Sequence, residues 1–317
     1  MEYQEFMKKV EQELLRYLPK NGNYQIEKKW IPKENGLSYD GLLIQSDNLQ
    51  NTPILHLQNY YQIYRRDGIP FTQILVQMAE DYKRFVSQTP QWSMQEIHAH
   101  IPEDLFVRAV NYELSKEWLA EVPYEKVLDV ALIPAVRLEE NISAKISHSN
   151  AKMLGLSGKE ILELAKARNL EHGVSFENLS DKLQSLQRSM GVQIPEEYRQ
   201  NEDSPIFVLS NADNFYGASL LFQPEMQAIL AEAMGDFCVL PSSGHEVLLV
   251  QDQGLSLGDF IFLQKTVMDI NRTTVPPEDF LSDTVYRFNS KTQELTIAMP
   301  SPIKVPKKST TIHFPRR

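Results

Sequence analysis

The chain has 317 residues, 42% apolar and 23% charged, a globular composition that excludes a disordered or fibrous protein. Its 32 Lys and Arg stand against 42 Asp and Glu, and the net charge of −10 excludes bulk, nonspecific binding to nucleic acid or an anionic membrane. No apolar run approaches the ~18 residues of a membrane helix, the first residues hold no apolar signal core, and the single cysteine, Cys238, has no partner within the chain, so a cytoplasmic protein is expected.

Residues 2–18 carry Phe6, Val10, Leu14, Leu15 and Leu18 at helical spacing, and Pro19 with the following Asn-Gly ends that helix. Residues 24–30 alternate as a strand, a turn follows at 34–36, and 42–44 and 54–57 supply further strands. Helices are expected from 59–66, rich in Tyr60, Tyr61 and Tyr64, and from 71–86. His98 and His100 alternate, but with no third ligand nearby in sequence they do not make a zinc site, and no metal or cofactor is expected.

Residues 105–110 read as a strand and 111–119 as a helix closed by Pro123. The apolar run 127–136 reads as a central strand with Asp129 near its start; 142–146 is another strand, Ser147 is a helix N-cap, and a helix follows through 167 across Gly158. The polar stretch 171–202 is read as a helix with an exposed connector. A hairpin is expected from strands 206–209 and 217–222 around the turn 211–214. Pro224 opens a helix with Met226, Ile229, Leu230 and Met234 on one face, and Gly235 caps it. A helix over 259–270, a break at Pro276-Pro277 and a last strand at 295–299 complete the chain.

Strand pairs feeding helices recur at 42–61, 130–167 and 207–234, so the fold class is α+β, with mixed, largely antiparallel sheets and packed amphipathic helices. Two domains are expected, at 1–122 and 123–300, before a basic C-terminal tail at 301–317 that reads as a solvated end.

Chemistry concentrates at 236–251, where apolar strands 237–240 and 247–250 flank Pro241, Ser242, Ser243, Gly244, His245 and Glu246. A hydrolase would use Ser243 as nucleophile and His245 as base, with Asp283 or Glu246 orienting it. Against this, residues i and i+2 of an extended segment stand ~7 Å apart, and no Gly-x-Ser-x-Gly elbow precedes a helix. In the other reading the serines satisfy backbone groups at the bend while His245 and Glu246 bond a neighbouring loop. Asp129 and Asp283 lie beside buried residues and need partners, Ser282 and Asp283 suit a cap, and Arg272 is a candidate ion-pair partner for Glu246.

Several segments carry a resemblance. They are Asn111-Tyr112 through Leu119, Pro123 and Leu128-Asp129-Val-Ala; Val208-Leu-Ser-Asn211 and Tyr216-Gly217-Ala-Ser; Leu240-Pro-Ser-Ser-Gly-His245-Glu246-Val; and Leu281-Ser-Asp283-Thr-Val-Tyr286. In this order, from about residue 10 to about residue 297, they resemble an uncharacterised bacterial domain-of-unknown-function family, number 5688, found in gut anaerobes and their mobile elements. The resemblance implies a fold unit and a shared surface, without an assigned activity. Where that family tends to carry a histidine this chain has Tyr124, and it has Ala135-Val136 where a tyrosine is common.

The expectation is a cytoplasmic, acidic, regulatory protein that binds a protein partner, is encoded by a mobile element and acts on a host or defence component. Nucleic acid would be involved only indirectly, through a basic groove on that partner. Ser242, Asn211, Asn271, Arg272 and Tyr286 are the candidate binding residues, and Tyr60, Tyr61, Tyr64 and Trp92 the aromatics expected to be exposed for protein contacts. The alternative is the hydrolase of Ser243, His245, Glu246 and Asp283.

Overall fold

A computed structural model describes residues 1–20, 22–47, 53–88, 101, 103–139, 142–190 and 206–300. They fall into two compact units, one within Met1–Lys33 and Leu37–Ala99, the other within Glu34–Gly36 and His100–Thr310.

In the first unit, helix α1 (Tyr3–Glu13) buries Phe6, Met7 and Val10; of the expected stripe Phe6, Val10, Leu14 and Leu18 are buried and Leu15 is exposed. A three-stranded antiparallel sheet follows, β1 (Tyr24–Pro32), β2 (Ser38–Ser46) and β3 (Ile54–His56), then α2 (Leu57–Arg66) and α3 (Phe71–Gln88). Phe6, Leu42, Ile44, Leu55, Ile74 and Met78 form its core. Of the tyrosines expected on the surface, Tyr60 belongs to that core and Tyr61 and Tyr64, half-buried, pack against it. Tyr60 is 7% exposed and donates to Asp81 at 2.9 Å, and the rings of Tyr61 and Tyr64 pack 5.3 and 5.8 Å from Phe6. An amphipathic ring buries its body and keeps a polar tip, so tyrosine content alone does not mark a surface. Trp92, His98 and His100 lie outside the described residues.

In the second unit, β4 (Leu105–Asn111) is buried throughout and leads into α4 (Tyr112–Leu119), whose N-cap Asn111 accepts from Leu114 N. The run expected as one strand is a hairpin, β5 (Glu125–Val127) and β6 (Val130–Glu139), because Leu128 turns at φ 55° and leaves Asp129 in the bend. β7 (Ile142–Lys145) pairs with β6, and β4 pairs with it on the other side from Leu105↔Val136 to Asn111↔Val130. That ladder crosses residue 122, so the break expected at 122/123 lies inside this unit. Ser147 and Ser157 close capping boxes on α5 (His148–Met153) and α6 (Gly158–Asn169).

The larger sheet is antiparallel and holds β8 (Val174–Asn178), β9 (Ile206–Asn211), β10 (Phe237–Leu240), β11 (Val247–Gln251), β12 (Val285–Asn289) and β13 (Glu294–Met299), in the order β13-β12-β10-β11-β9-β8. Helices α7 (Leu179–Met190), α8 (Pro224–Met234) and α9 (Leu257–Thr273) accompany it. Residues Gly217–Phe222, expected as the partner strand of β9, form a 3-10 helix instead. Both edges of β9 are taken, by β8 and β11, and all six residues are buried, so no alternating face exists. A Cβ on Gly217 would stand 2.2 Å from Asn211 N, which fixes glycine where the chain turns in. On α8, Met226, Leu230 and Met234 are buried as expected while Ile229 is 56% exposed. Cys238 is a core residue whose thiol burial pushes up to about 12. Among the described residues no helix is long and apolar enough to cross a membrane.

Candidate functional site

β10 and β11 are joined by residues 241–246, and that connection is tied down through its backbone. Ser282 N donates to Pro241 O (2.9 Å), Leu281 N to Ser242 O (3.1 Å), and Gly244 N to Asp279 O (2.8 Å). From the other side Ala218 N donates to Gly244 O (3.3 Å) and Gly217 N to His245 O (2.9 Å), where Ser210 Oγ also donates (2.8 Å). A loop with buried carbonyls needs such partners. All of them except Asp279 come from the segments that carry the family resemblance.

The side chains of Ser243, His245 and Glu246 also have partners. Ser243 Oγ accepts from His245 N at 3.1 Å, a local hydroxyl-to-backbone tie. His245 Nδ1 accepts from Tyr216 N at 3.2 Å. A peptide N–H can only donate, so Nδ1 carries no proton; the proton sits on Nε2, which donates to Asp279 Oδ1 at 3.2 Å. Both ring nitrogens therefore have partners, and neither is the hydroxyl of Ser243. The imidazole stacks on Tyr216 (centroids 4.4 Å apart, 23° between planes), whose ring also lies 4.0 Å from the Arg108 guanidinium. Arg108 in turn pairs with Glu34 at 2.6 Å. Burial raises the Tyr216 phenol above its ordinary value, with Arg108 opposing.

Asp283, expected to orient the imidazole, is elsewhere: its Oδ1 accepts from Asn271 Nδ2 at 2.7 Å, and Asn271 also donates to Ser282 O. Glu246 pairs with Lys182 at 2.9 Å, and Arg272 is exposed near the end of α9. Ser242 is 5% exposed and Tyr286 fully buried, which removes both from any open binding face. Asn211 closes its own loop, accepting from Phe215 N and donating to Phe215 O.

The strongest polar cluster is one that the sequence marked only as an acid in need of partners. Asp129 accepts from Ser282 Oγ (2.6 Å), Thr284 Oγ1 (2.7 Å) and Tyr286 O–H, so two motif segments 153 residues apart meet at one carboxylate. Burial and the adjacent carboxylate hold the Tyr286 phenol well above its ordinary pKa. Asp279 and Tyr216 were missed as partners of His245, and Arg108 as the cation over Tyr216; Pro276-Pro277 before Asp279 announces a turn, but nothing local says which loop it meets. Among the described residues no group of three or more His, Cys, Asp or Glu is placed to hold a metal ion.

The surface offers a cleft of about 370 Å³ at a different place, lined by none of residues 241–246. Val122, Pro123, Tyr124 and Leu162 make it apolar, and His148, Lys159 and Glu163 add polar groups. It lies at the N-terminal turn of α6, where Gly158 leaves the space that a Cβ, 3.0 Å from Pro123, would fill.

Searches of curated proteins and of solved structures return no match. A family model matches residues 3–290, almost all of the 317, and the chain belongs to that family, the family of unknown function DUF5688.

Proposed function

We propose that this chain is a cytoplasmic regulatory protein that works by binding a protein partner and carries out no chemistry of its own. The observation that carries this reading is the contrast between a polar turn whose backbone and whose imidazole are both engaged and an open cleft with apolar walls. A cleft of that kind, with charged side chains at its margin, suits the insertion of an apolar side chain from a partner. Tyr124, which stands where the family tends to have a histidine, lines it. The association of the resembling family with mobile elements points to a host or defence component as the partner, and the net charge of −10 to a basic surface on it.

What weighs against a hydrolase at the turn is the occupied Nδ1 of His245, which leaves Ser243 without a base. The test is a pair of full-length variants, Tyr124→Glu and His245→Asn. The binding reading expects Tyr124→Glu to abolish stoichiometric co-purification of a partner with an unchanged melting temperature, and His245→Asn to leave it intact. Hydrolytic turnover lost in folded His245→Asn, or co-purification indifferent to Tyr124→Glu, would overturn it.

A further inference from the structure

The larger sheet ends at β13, whose one ladder partner among the described residues is β12. Unpaired strand edges template pairing with another strand, and folds that avoid this place Lys or Pro in the edge strand. β13, Glu-Leu-Thr-Ile-Ala-Met, has neither; its ladder with β12 is regular from Glu294 to Ile297, and its one register shift, between Ile297 and Met299, leaves those four residues straight for pairing. Exposed apolar groups lie on both sides of it. Ile297, opposite Tyr286, is 43% exposed. On α9, which packs on the Cys238, Leu240 and Val285 face, Leu257 and Ile261 are 69% and 40% exposed. Gln264 shares their flank of the helix and donates to Pro300 O just past β13, so that flank turns toward the end of the edge strand.

We infer that β13 and this flank of α9 form a two-fold interface with a second copy of the chain, β13 pairing antiparallel with itself to continue the sheet. Charge selects that occupant and that direction. Glu294, at one end of β13, is its one charged residue. Lys265, exposed, follows Gln264 at the other end and lies one turn beyond Ile261 on the same stripe. Antiparallel self-pairing brings Glu294 of each copy to the end where the other carries Lys265, giving two opposite-charge contacts by symmetry. Parallel pairing would instead set the two Glu294 side by side. Leu257 and Ile261 would then be covered by their equivalents, as isologous contacts require. None of these residues lines the Tyr124 cleft, so dimerisation stands apart from partner binding there.

Sedimentation of the full-length protein from about 1 to 300 μM reads the association, a range that covers weak and standard interfaces alike. A monomer–dimer equilibrium is expected. Glu294→Lys should weaken it roughly tenfold, and adding Lys265→Glu in the same chain should restore it, a rescue that loss of packing alone would not give. Leu257→Lys, on the most exposed of these side chains, should weaken it with an unchanged melting temperature even if the strand variant folds poorly. A monomer throughout that range overturns the inference. So does a dimer indifferent to all three variants, or β13 amides whose hydrogen-exchange protection does not rise with concentration.

Discussion

Two polar knots in the second unit hold loops together, and they do so in opposite ways. At Asp129 one carboxylate receives three side-chain hydroxyls, and Tyr286 among them is fully buried. At His245 a ring with 29% of its side chain exposed accepts one peptide N–H and faces one carboxylate, while the loop beneath it is independently held by its backbone. In the first knot the side chains are the tie, and removing the acceptor strands buried donors. In the second the backbone is the tie and the ring decorates it. Stability should therefore follow where the hydrogen bonds reside rather than how much chemistry a segment displays.

The largest effect is expected at Asp129. Asp129→Ala removes three bonds to a charged acceptor and leaves three hydroxyls without it, at a cost of about 4 kcal/mol or more. Urea unfolding measures it, and a loss no greater than that of His245→Ala would break the comparison. Next comes Gly217→Ala, at about 3 kcal/mol, since the new Cβ would meet Asn211 N at 2.2 Å and push away the N–H that donates to His245 O. Should that variant prove neutral, the backbone would not be what fixes the turn.

Tyr286→Phe keeps the packing and deletes one hydroxyl, and is expected to cost about 2 kcal/mol at neutral pH. Its pH dependence sharpens the point. The folded phenol has a raised pKa, so the fold keeps a proton that the unfolded chain releases near its ordinary value of 10.0. The stabilisation is thus fully present below pH 10 and declines above it by up to about 1.4 kcal/mol per unit. Stability curves of wild type and Tyr286→Phe should converge as pH rises beyond 10; parallel curves would mean that the hydroxyl is not locked to Asp129.

Local signals were legible and distant ones were not. The cap at Ser147, the proline start and glycine stop of α8, and the pairing of β10 with β11 each follow from a few adjacent residues. The run 217–222 misled because a buried apolar hexamer has no period to separate strand from 3-10 helix, and β8 was hidden in a polar stretch. Asp129 could be marked as needing partners, because a half-buried acid must find them, but the three that it found are more than 150 residues away. Tyr60 shows the converse error: residue type proposed a surface, and burial in the core of the first unit with a bond to Asp81 decided otherwise.

The smallest expected effect discriminates most finely between a ring that decorates and a ring that acts. In His245→Asn the short amide offers an oxygen near the place of Nδ1, and the Tyr216 N–H keeps an acceptor; in His245→Gln the longer amide reaches toward Asp279 and leaves that N–H without one. Each loses part of the stacking on Tyr216, so both should cost about 1 kcal/mol, with Gln the worse by a few tenths. Tyr216 sits at φ 55°, a conformation that a non-glycine residue holds only when its surroundings over-determine it, so the Nδ1 bond is the one that counts. Thermal unfolding of the two variants side by side reads the order. If Gln proves the more stable, the Asp279 contact carries the ring, and the imidazole answers to a carboxylate, as a working histidine does.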